Sequence, residues 1–276
     1  MVLGGGGARG FAHVGVLSAI SHLGYRPAVI VGVSMGSITG ATFALNNNWY
    51  HDLVNMDIRG VPETPDFSIP GLNAKIRNLM IAQRALKDMY FGWGAGQNTV
   101  QWGKSLLRSL TQGKSLQQGD PTLYVCATDI LTGQRVVLDT GDAAEAVYAS
   151  AAIAGILPPL DKDPYLLVDG AYSDIAPIDV ARQTGVECVI AVDPSNTNPT
   201  KIPSNGLQAM LRGIDICQYE HANLRYRLAD LVIQPRFTQS IGTLDFEYKR
   251  DSIAAGAMAI RRVIPELRRL LNFTSK

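Results

Sequence analysis

The stretch from Ala28 to Leu45, AVIVGVSMGSITGATFAL, restricts the fold more than any other part of this 276-residue chain. Ala28 to Val33 is apolar and rich in β-branched residues, as in a strand buried on both faces of a parallel sheet. Ser34 follows, between Gly32 and Gly36, and Ser34 to Leu45 continues with a helical pattern. A sharp turn from strand to helix holds its central side chain out at the carboxyl end of the strand, where ligands meet open α/β sheets. Small residues two positions to either side let neighbouring backbone pass closely. The competing reading is a glycine-rich turn whose serine only caps the helix.

The same alternation recurs. Met1 to Leu3 reads as a short strand, Gly4 to Gly7 as a turn, and Arg9 to Leu23 as a helix closed by Gly24 and Pro27. Further on, strands are predicted at Thr122 to Thr128, Arg135 to Leu138, Tyr165 to Val168, Val186 to Val192 and Leu231 to Gln234. Helices are predicted at Ala143 to Ala154, Pro177 to Thr184 and Gly206 to Leu228, with a last one at Asp251 to Leu271 interrupted by Pro265. Pro194 to Ser204 reads as a polar, proline-rich loop. This order implies one α/β domain over 1–276, with a mostly parallel sheet covered on both faces.

One segment breaks the alternation. Arg59 to Gln118 opens with Pro62, Pro65 and Pro70 and then turns helical. Leu72, Ile76, Leu79, Met80, Leu86 and Tyr90 keep helical spacing, with Lys75, Arg77, Arg84 and Lys87 between them. Eight basic and three acidic residues give this insertion a net charge of +5, against −4 for the rest of the chain. Two readings follow: a solvated helical insertion, or a cap that touches anionic lipid.

Gly4-Gly5-Gly6-Gly7-Ala8-Arg9-Gly10 lies between the first strand and the first helix. Bare backbone N–H groups there can cradle an anion, either an oxyanion or a dinucleotide phosphate, since Gly5, Gly7 and Gly10 satisfy GxGxxG. The dinucleotide reading needs an acidic residue about 20 positions on to hold the ribose. No Asp or Glu precedes Asp52, which weighs against it and leaves the region electropositive, with Arg9 placed to support the loop or the charge.

A serine nucleophile needs a base. His221 is the only histidine after position 51, and it falls in the middle of a predicted helix; His13 lies just after the glycine loop. A carboxylate base therefore comes into view, and Asp129, Asp169 and Asp193 all end apolar strands. Spacing does not choose among them.

Taken together, GGGGARG, GVSMG and Asp169-Gly170-Ala171 resemble, in the same order, the three signatures of patatin-like phospholipases. Ala127-Thr128-Asp129, Ala149 to Ala152 with Pro158-Pro159, and Ala191-Val192-Asp193 are also similar to bacterial members. The resemblance spans about Val2 to Asp193. It implies a three-layer α/β/α sandwich and hydrolysis of acyl-lipid esters by a serine–aspartate dyad without histidine. Carried over, Ser34 is the nucleophile and Asp169 the base. Gly5, Gly6 and Gly7, with Arg9 and Gly10, form the oxyanion loop, and Gly32, Gly36 and Gly170 shape the elbow and the aspartate turn. Two departures stand out. Ser173-Asp174-Ile175-Ala176-Pro177 replaces a common Asn-Asn-Val-Pro, and Ala154 stands where proline is frequent.

The rivals are an α/β-hydrolase that uses His221, and a lipid-binding or regulatory protein on the same scaffold. The implied chemistry asks for no metal or cofactor. Three cysteines without a CxxC pair read as reduced, mostly packed thiols. A net charge of +1 gives no general attraction to nucleic acid. No apolar run reaches about 18 residues and no secretory signal is visible, so the expectation is a cytoplasmic protein with peripheral contact to anionic membrane. The partner expected is an acyl lipid or ester; nothing bears on oligomeric state.

Overall fold

The structure is a computed structural model, described here over residues 1–60, 70–94, 96–195 and 206–273. Eight strands form one sheet: β1 Val2–Leu3, β2 Val29–Val33, β3 Thr122–Asp129, β4 Arg135–Leu138, β5 Leu160–Lys162, β6 Tyr165–Asp169, β7 Ile190–Val192 and β8 Leu231–Ile233. Their order is β5-β6-β3-β2-β1-β7-β8, and β4 also pairs with β3. The helices are α1 Ala12–His22, α2 Met35–Leu45, α3 Trp49–Val54, α4 Leu72–Phe91, α5 Gln97–Leu110, α6 Ala143–Ala151, α7 Ile178–Gln183, α8 Gly206–Tyr226 and α9 Lys249–Phe273.

Alternation along the strands builds two cores, because successive side chains point to opposite faces. Leu3, Ile30, Val125 and Ala127 join α1, α2, α3, α5, α6 and α9 on one face. Val2, Val31, Val33 and Cys126 join α7 and α8 on the other. The result is the three-layer α/β/α sandwich, with two of the inner strands buried on both sides as the apolar run at 28–33 predicts.

The sheet is mixed rather than uniformly parallel. β1, β2, β3, β7 and β8 run parallel, whereas β4 and β6 run antiparallel to β3 and β5 antiparallel to β6. This reversal positions the site. Val33 pairs with Cys126, so Ser34 stands level with Ala127, and Ala127 pairs with Asp169 on the far side of β3. A strand that descends from the opposite end thus delivers its last residue to the level of the elbow.

Several boundaries differ from the sequence expectations. The helix predicted to run to Ala154 ends at Ala151, because the carbonyl of Ala152 accepts the N–H of Asp169 (2.9 Å) instead of continuing the helix. Pro265 does not interrupt α9. Pro265 and Arg261 both lie on the exposed side, so the carbonyl freed by the missing N–H faces water. β7 begins at Ile190, not Val186. Pro62, Pro65 and the 196–204 part of the proline-rich loop lie outside the described residues. Cys126 is buried, Cys188 half-buried and Cys217 exposed, so only the first is packed as expected. Among the described residues no helix is long and apolar enough to cross a membrane.

Candidate active site

Ser34 sits between β2 and α2 with φ 52° and ψ −123°, a backbone conformation that costs a non-glycine residue of order 1–3 kcal/mol. Its surroundings hold it there. Its N–H donates to Ser150 Oγ (2.9 Å), and that hydroxyl donates to the carbonyl of Cys126 (2.6 Å). Its carbonyl accepts from the N–H (2.9 Å) and Oγ (2.7 Å) of Ser37. The flanking glycines are needed for approach: a Cβ on Gly32 would lie 2.6 Å from Ser37 Cα, one on Gly36 2.0 Å from the carbonyl oxygen of Leu3, and one on Gly170 2.1 Å from that of Cys126. Gly36→Ala is therefore expected to force α2 away from β1 and to destabilise the fold by ~2–3 kcal/mol, read as a lower urea midpoint at unchanged slope. An unchanged midpoint would mean that the contact is not tight.

Ser34 Oγ donates to Asp169 Oδ2 at 2.6 Å. The other carboxylate oxygen accepts the N–H of Ala171 (2.9 Å), which fixes the rotamer. Ser34 is 7% exposed and Asp169 4%. Burial pushes the Asp169 carboxyl up to about 6, with the Ser34 and Ala171 hydrogen bonds opposing part of that rise. The other two aspartates are engaged elsewhere. Asp129 accepts from Thr132 Oγ1 (2.7 Å) and the N–H of Leu166 (3.1 Å), and Asp193 from Ser195 Oγ (2.5 Å) and Gln234 Nε2 (3.0 Å). The hydrogen bond from Thr132, the largest influence, holds Asp129 below the usual carboxylate range.

No histidine lines the site among the described residues. His221 is exposed on α8 and does not face the pocket, so the triad reading lacks its imidazole. His13 is fully buried and bonds the carbonyl of Gly4 through Nε2 (2.8 Å), so it braces the glycine loop from below. Burial lowers its pKa to about 4, which keeps it neutral.

The glycine loop divides its amides. The N–H of Gly5 is taken by the carbonyl of Ile175 (3.3 Å) and that of Ala8 by the carbonyl of Thr243 (2.9 Å). Among the described residues the N–H groups of Gly6 and Gly7 meet no acceptor, and both residues line the pocket beside Ser34. Gly7 has φ 52°, and a Cβ there would lie 2.2 Å from the Thr243 carbonyl oxygen, so side chains are excluded on both counts. Gly10 does not line the pocket; its bare Cα lets the loop pack on Met35, whose Cβ a methyl would meet at 2.6 Å. Arg9 does line it, but its guanidinium is committed to Asp215 Oδ1 (3.2 Å) and the carbonyl of Ile241 (3.1 Å). The electropositive character read from the first 51 residues is thus partly neutralised by an acid from α8.

The pocket above the pair has a volume of about 60 Å³. Ile153, Tyr172, Ile175, Leu211, Ile214 and Tyr219 give it an apolar wall, with α8 as its roof. Sequence reasoning missed Ser150, which looks like a packing residue in an alanine-rich helix, and Asp215, whose partner lies 206 positions away. Both sequence departures have local causes. Asp174 accepts from Arg135 Nη1 (2.6 Å) and Arg225 Nη2 (2.5 Å), tying the segment after Asp169 to β4 and α8. The N–H of Ala154 donates to the hydroxyl of Tyr172 (3.1 Å), a bond that proline has no hydrogen to make.

Comparison with known proteins gives a concordant picture. The chain is 32% identical over 210 residues to a patatin-like phospholipase domain-containing protein of Caenorhabditis elegans. It is 30% identical over 223 residues to patatin-like phospholipase domain-containing protein 7 of Rattus norvegicus, and 30% over 200 residues to Lysophospholipase NTE1 of Cryptococcus neoformans. The matches cover 75%, 75% and 72% of this chain but only 14%, 14% and 11% of those proteins, so the chain spans a small part of the length of these relatives. The crystal structure of VipD from Legionella pneumophila superposes with a TM-score of 0.54 over 96% of this chain and 66% of that one, at 14% identity, and shares the fold. The family model described as Patatin-like phospholipase matches residues 1–182, from the first strand through the Asp169 turn, and the chain accordingly belongs to the patatin-like phospholipase family.

Proposed function

We propose that this chain hydrolyses carboxylic esters of acyl lipids, phospholipids or lysophospholipids among them, through a Ser34–Asp169 dyad and an acyl-enzyme. The observation that carries the reading is the 2.6 Å hydrogen bond from Ser34 Oγ to a buried Asp169 carboxylate. Family membership and a relative named lysophospholipase support the substrate class.

In this reading Ser34 Oγ attacks the ester carbonyl carbon and its proton passes to Asp169 Oδ2. Negative charge gathers on the former carbonyl oxygen, which the N–H groups of Gly6 and Gly7 receive. The C–O bond to the alcohol breaks, and the alcohol leaves with the proton held by Asp169. Water then gives a proton to Asp169 and attacks the acyl-enzyme, releasing the acid and restoring the Ser34 hydroxyl. Desolvation suits Asp169 to this task, because a carboxylate near 6 is a stronger base than one near 4 and is still ionised at neutral pH.

The test is a fluorophosphonate probe together with p-nitrophenyl butyrate and lysophosphatidylcholine as substrates. We expect the probe to label Ser34 and both esters to be cleaved. No label on Ser34, with no hydrolysis above the Ser34→Ala background, would instead support a non-catalytic lipid-binding role for the scaffold.

A further inference from the structure

We propose that α4 and the turn after it form a docking surface for an anionic lipid bilayer, which places the mouth of the pocket against the layer from which its substrate is drawn. The proposal rests on the acyl-lipid reading of the site and adds the surface through which that substrate arrives.

The helix is oriented opposite to a core-packing helix. Leu72, Ile76, Leu79, Met80, Leu86 and Tyr90 are all exposed, with Leu72 at 73% and Tyr90 at 83%. Their three- and four-residue spacing puts them along one side of the helix. The less exposed positions, Ala74, Asn78, Ile81, Ala82 and Asp88, lie on the other side, toward the protein. Phe91, the last residue of α4 and 80% exposed, and Trp93, just past the helix end and 58% exposed, extend the apolar surface. An apolar stripe that points straight into solvent, broken on its own face only by Gln83 and Lys87, marks an interaction site.

Charge selects the occupant. Lys75 borders the stripe on one side, Arg84 on the other, and Lys87 lies among its apolar members. All three are exposed, and only Arg84 has a nearby carboxylate on the helix, Asp88 at 3.7 Å. An outward apolar stripe edged by cations is the arrangement of a helix that lies in the plane of an anionic membrane surface, its side chains in the acyl boundary and its cations among the headgroups.

Position ties this surface to the site. A Cβ on Gly94, the residue after Trp93, would lie 2.7 Å from the carbonyl oxygens of Gly155 and Ile156, and one on Gly155 would lie 3.5 Å from Met89 Sδ. The C-terminal end of α4 therefore packs on the 153–156 segment, whose Ile153 lines the pocket.

The full chain, Leu79→Asp/Leu86→Asp and Lys75→Glu/Lys87→Glu are compared in co-sedimentation with phosphatidylcholine vesicles, with and without phosphatidylserine. We expect the parent chain to bind phosphatidylserine vesicles at least about tenfold more tightly than neutral ones, and each double variant to lose at least about tenfold of that binding. Hydrolysis of soluble p-nitrophenyl butyrate should be unchanged in both variants, since none of the four side chains lines the pocket. Equal binding to the two vesicle types, or full binding by the variants, overturns the proposal. A dimer of the parent chain that Leu79→Asp/Leu86→Asp dissolves also overturns it, by making a second copy the occupant. Absence of butyrate hydrolysis in all three chains would fault the catalytic reading alone, since vesicle binding is measured without it.

Discussion

The Ser34→Ala chain is expected to hydrolyse p-nitrophenyl butyrate and lysophosphatidylcholine about 10⁴–10⁶ times more slowly than the parent, with whatever remains due to binding and the glycine-loop amides. The substitution removes one atom from a residue that is 7% exposed, so the fold should survive. Its backbone restraints run through the N–H and carbonyl of Ser34, which alanine keeps. Electrostatics offer a second readout. The Ser34 hydrogen bond is the larger of the two influences that oppose the burial of Asp169, so its removal should raise the Asp169 carboxyl further. Retained turnover in Ser34→Ala would remove the nucleophile assignment.

Asp169→Asn is expected to lower kcat by about 10²–10⁴ while making the folded chain more stable at neutral pH. The activity loss follows because an amide does not accept the Ser34 proton. The double variant Ser34→Ala/Asp169→Asn should be no slower than Ser34→Ala, since the two side chains act as a unit. The stability gain follows from the direction of the pKa change. Asp169 sits near 6 in the fold against 3.8 when unperturbed, so between those values the folded chain holds more protons than the unfolded one. Stability is therefore lost, not gained, as pH rises from about 4 through about 6, and the gap corresponds to ~3 kcal/mol. Asparagine carries no charge in either state and escapes that loss, and its amide oxygen can still accept from Ala171. The parent's kcat/KM should rise with pH around a midpoint near 6, where the base becomes ionised. Denaturant midpoints of parent and variant from pH 4 to pH 8 decide the matter: a parent that gains stability over that range contradicts the desolvation account.

What was legible in the sequence was what the backbone demands locally. A β-branched run that stops at Gly32-Val33-Ser34-Met35-Gly36 has few conformations open to it, and a row of glycines before a helix has few uses. The choice among Asp129, Asp169 and Asp193 was not legible from spacing, because it depends on β6 running against β3, and strand direction leaves no mark on a five-residue apolar segment. The family resemblance supplied the choice that periodicity lacked. β5 escaped notice because Leu160–Lys162 is too short to show alternation. Arg9 was recognised as a charge near the loop, but its neutralisation by Asp215 is a contact between distant parts of the chain. The spacing of α4 revealed an apolar stripe without telling which way it faced; the fold turns it outward.

The descent of β6 along β3 has a consequence for the newly made chain. Elbow and glycine loop both lie between Gly4 and Gly36, whereas Asp169, the proposed proton acceptor, lies 135 positions beyond Ser34, with β3 between them in the sequence. Under the proposed mechanism, a partly assembled molecule therefore displays a serine that is chemically ordinary. A slip of β6 by one residue against β3 would also turn the carboxylate to the other face of the sheet, so under the proposed mechanism hydrolysis would report that the strands have closed in correct alignment.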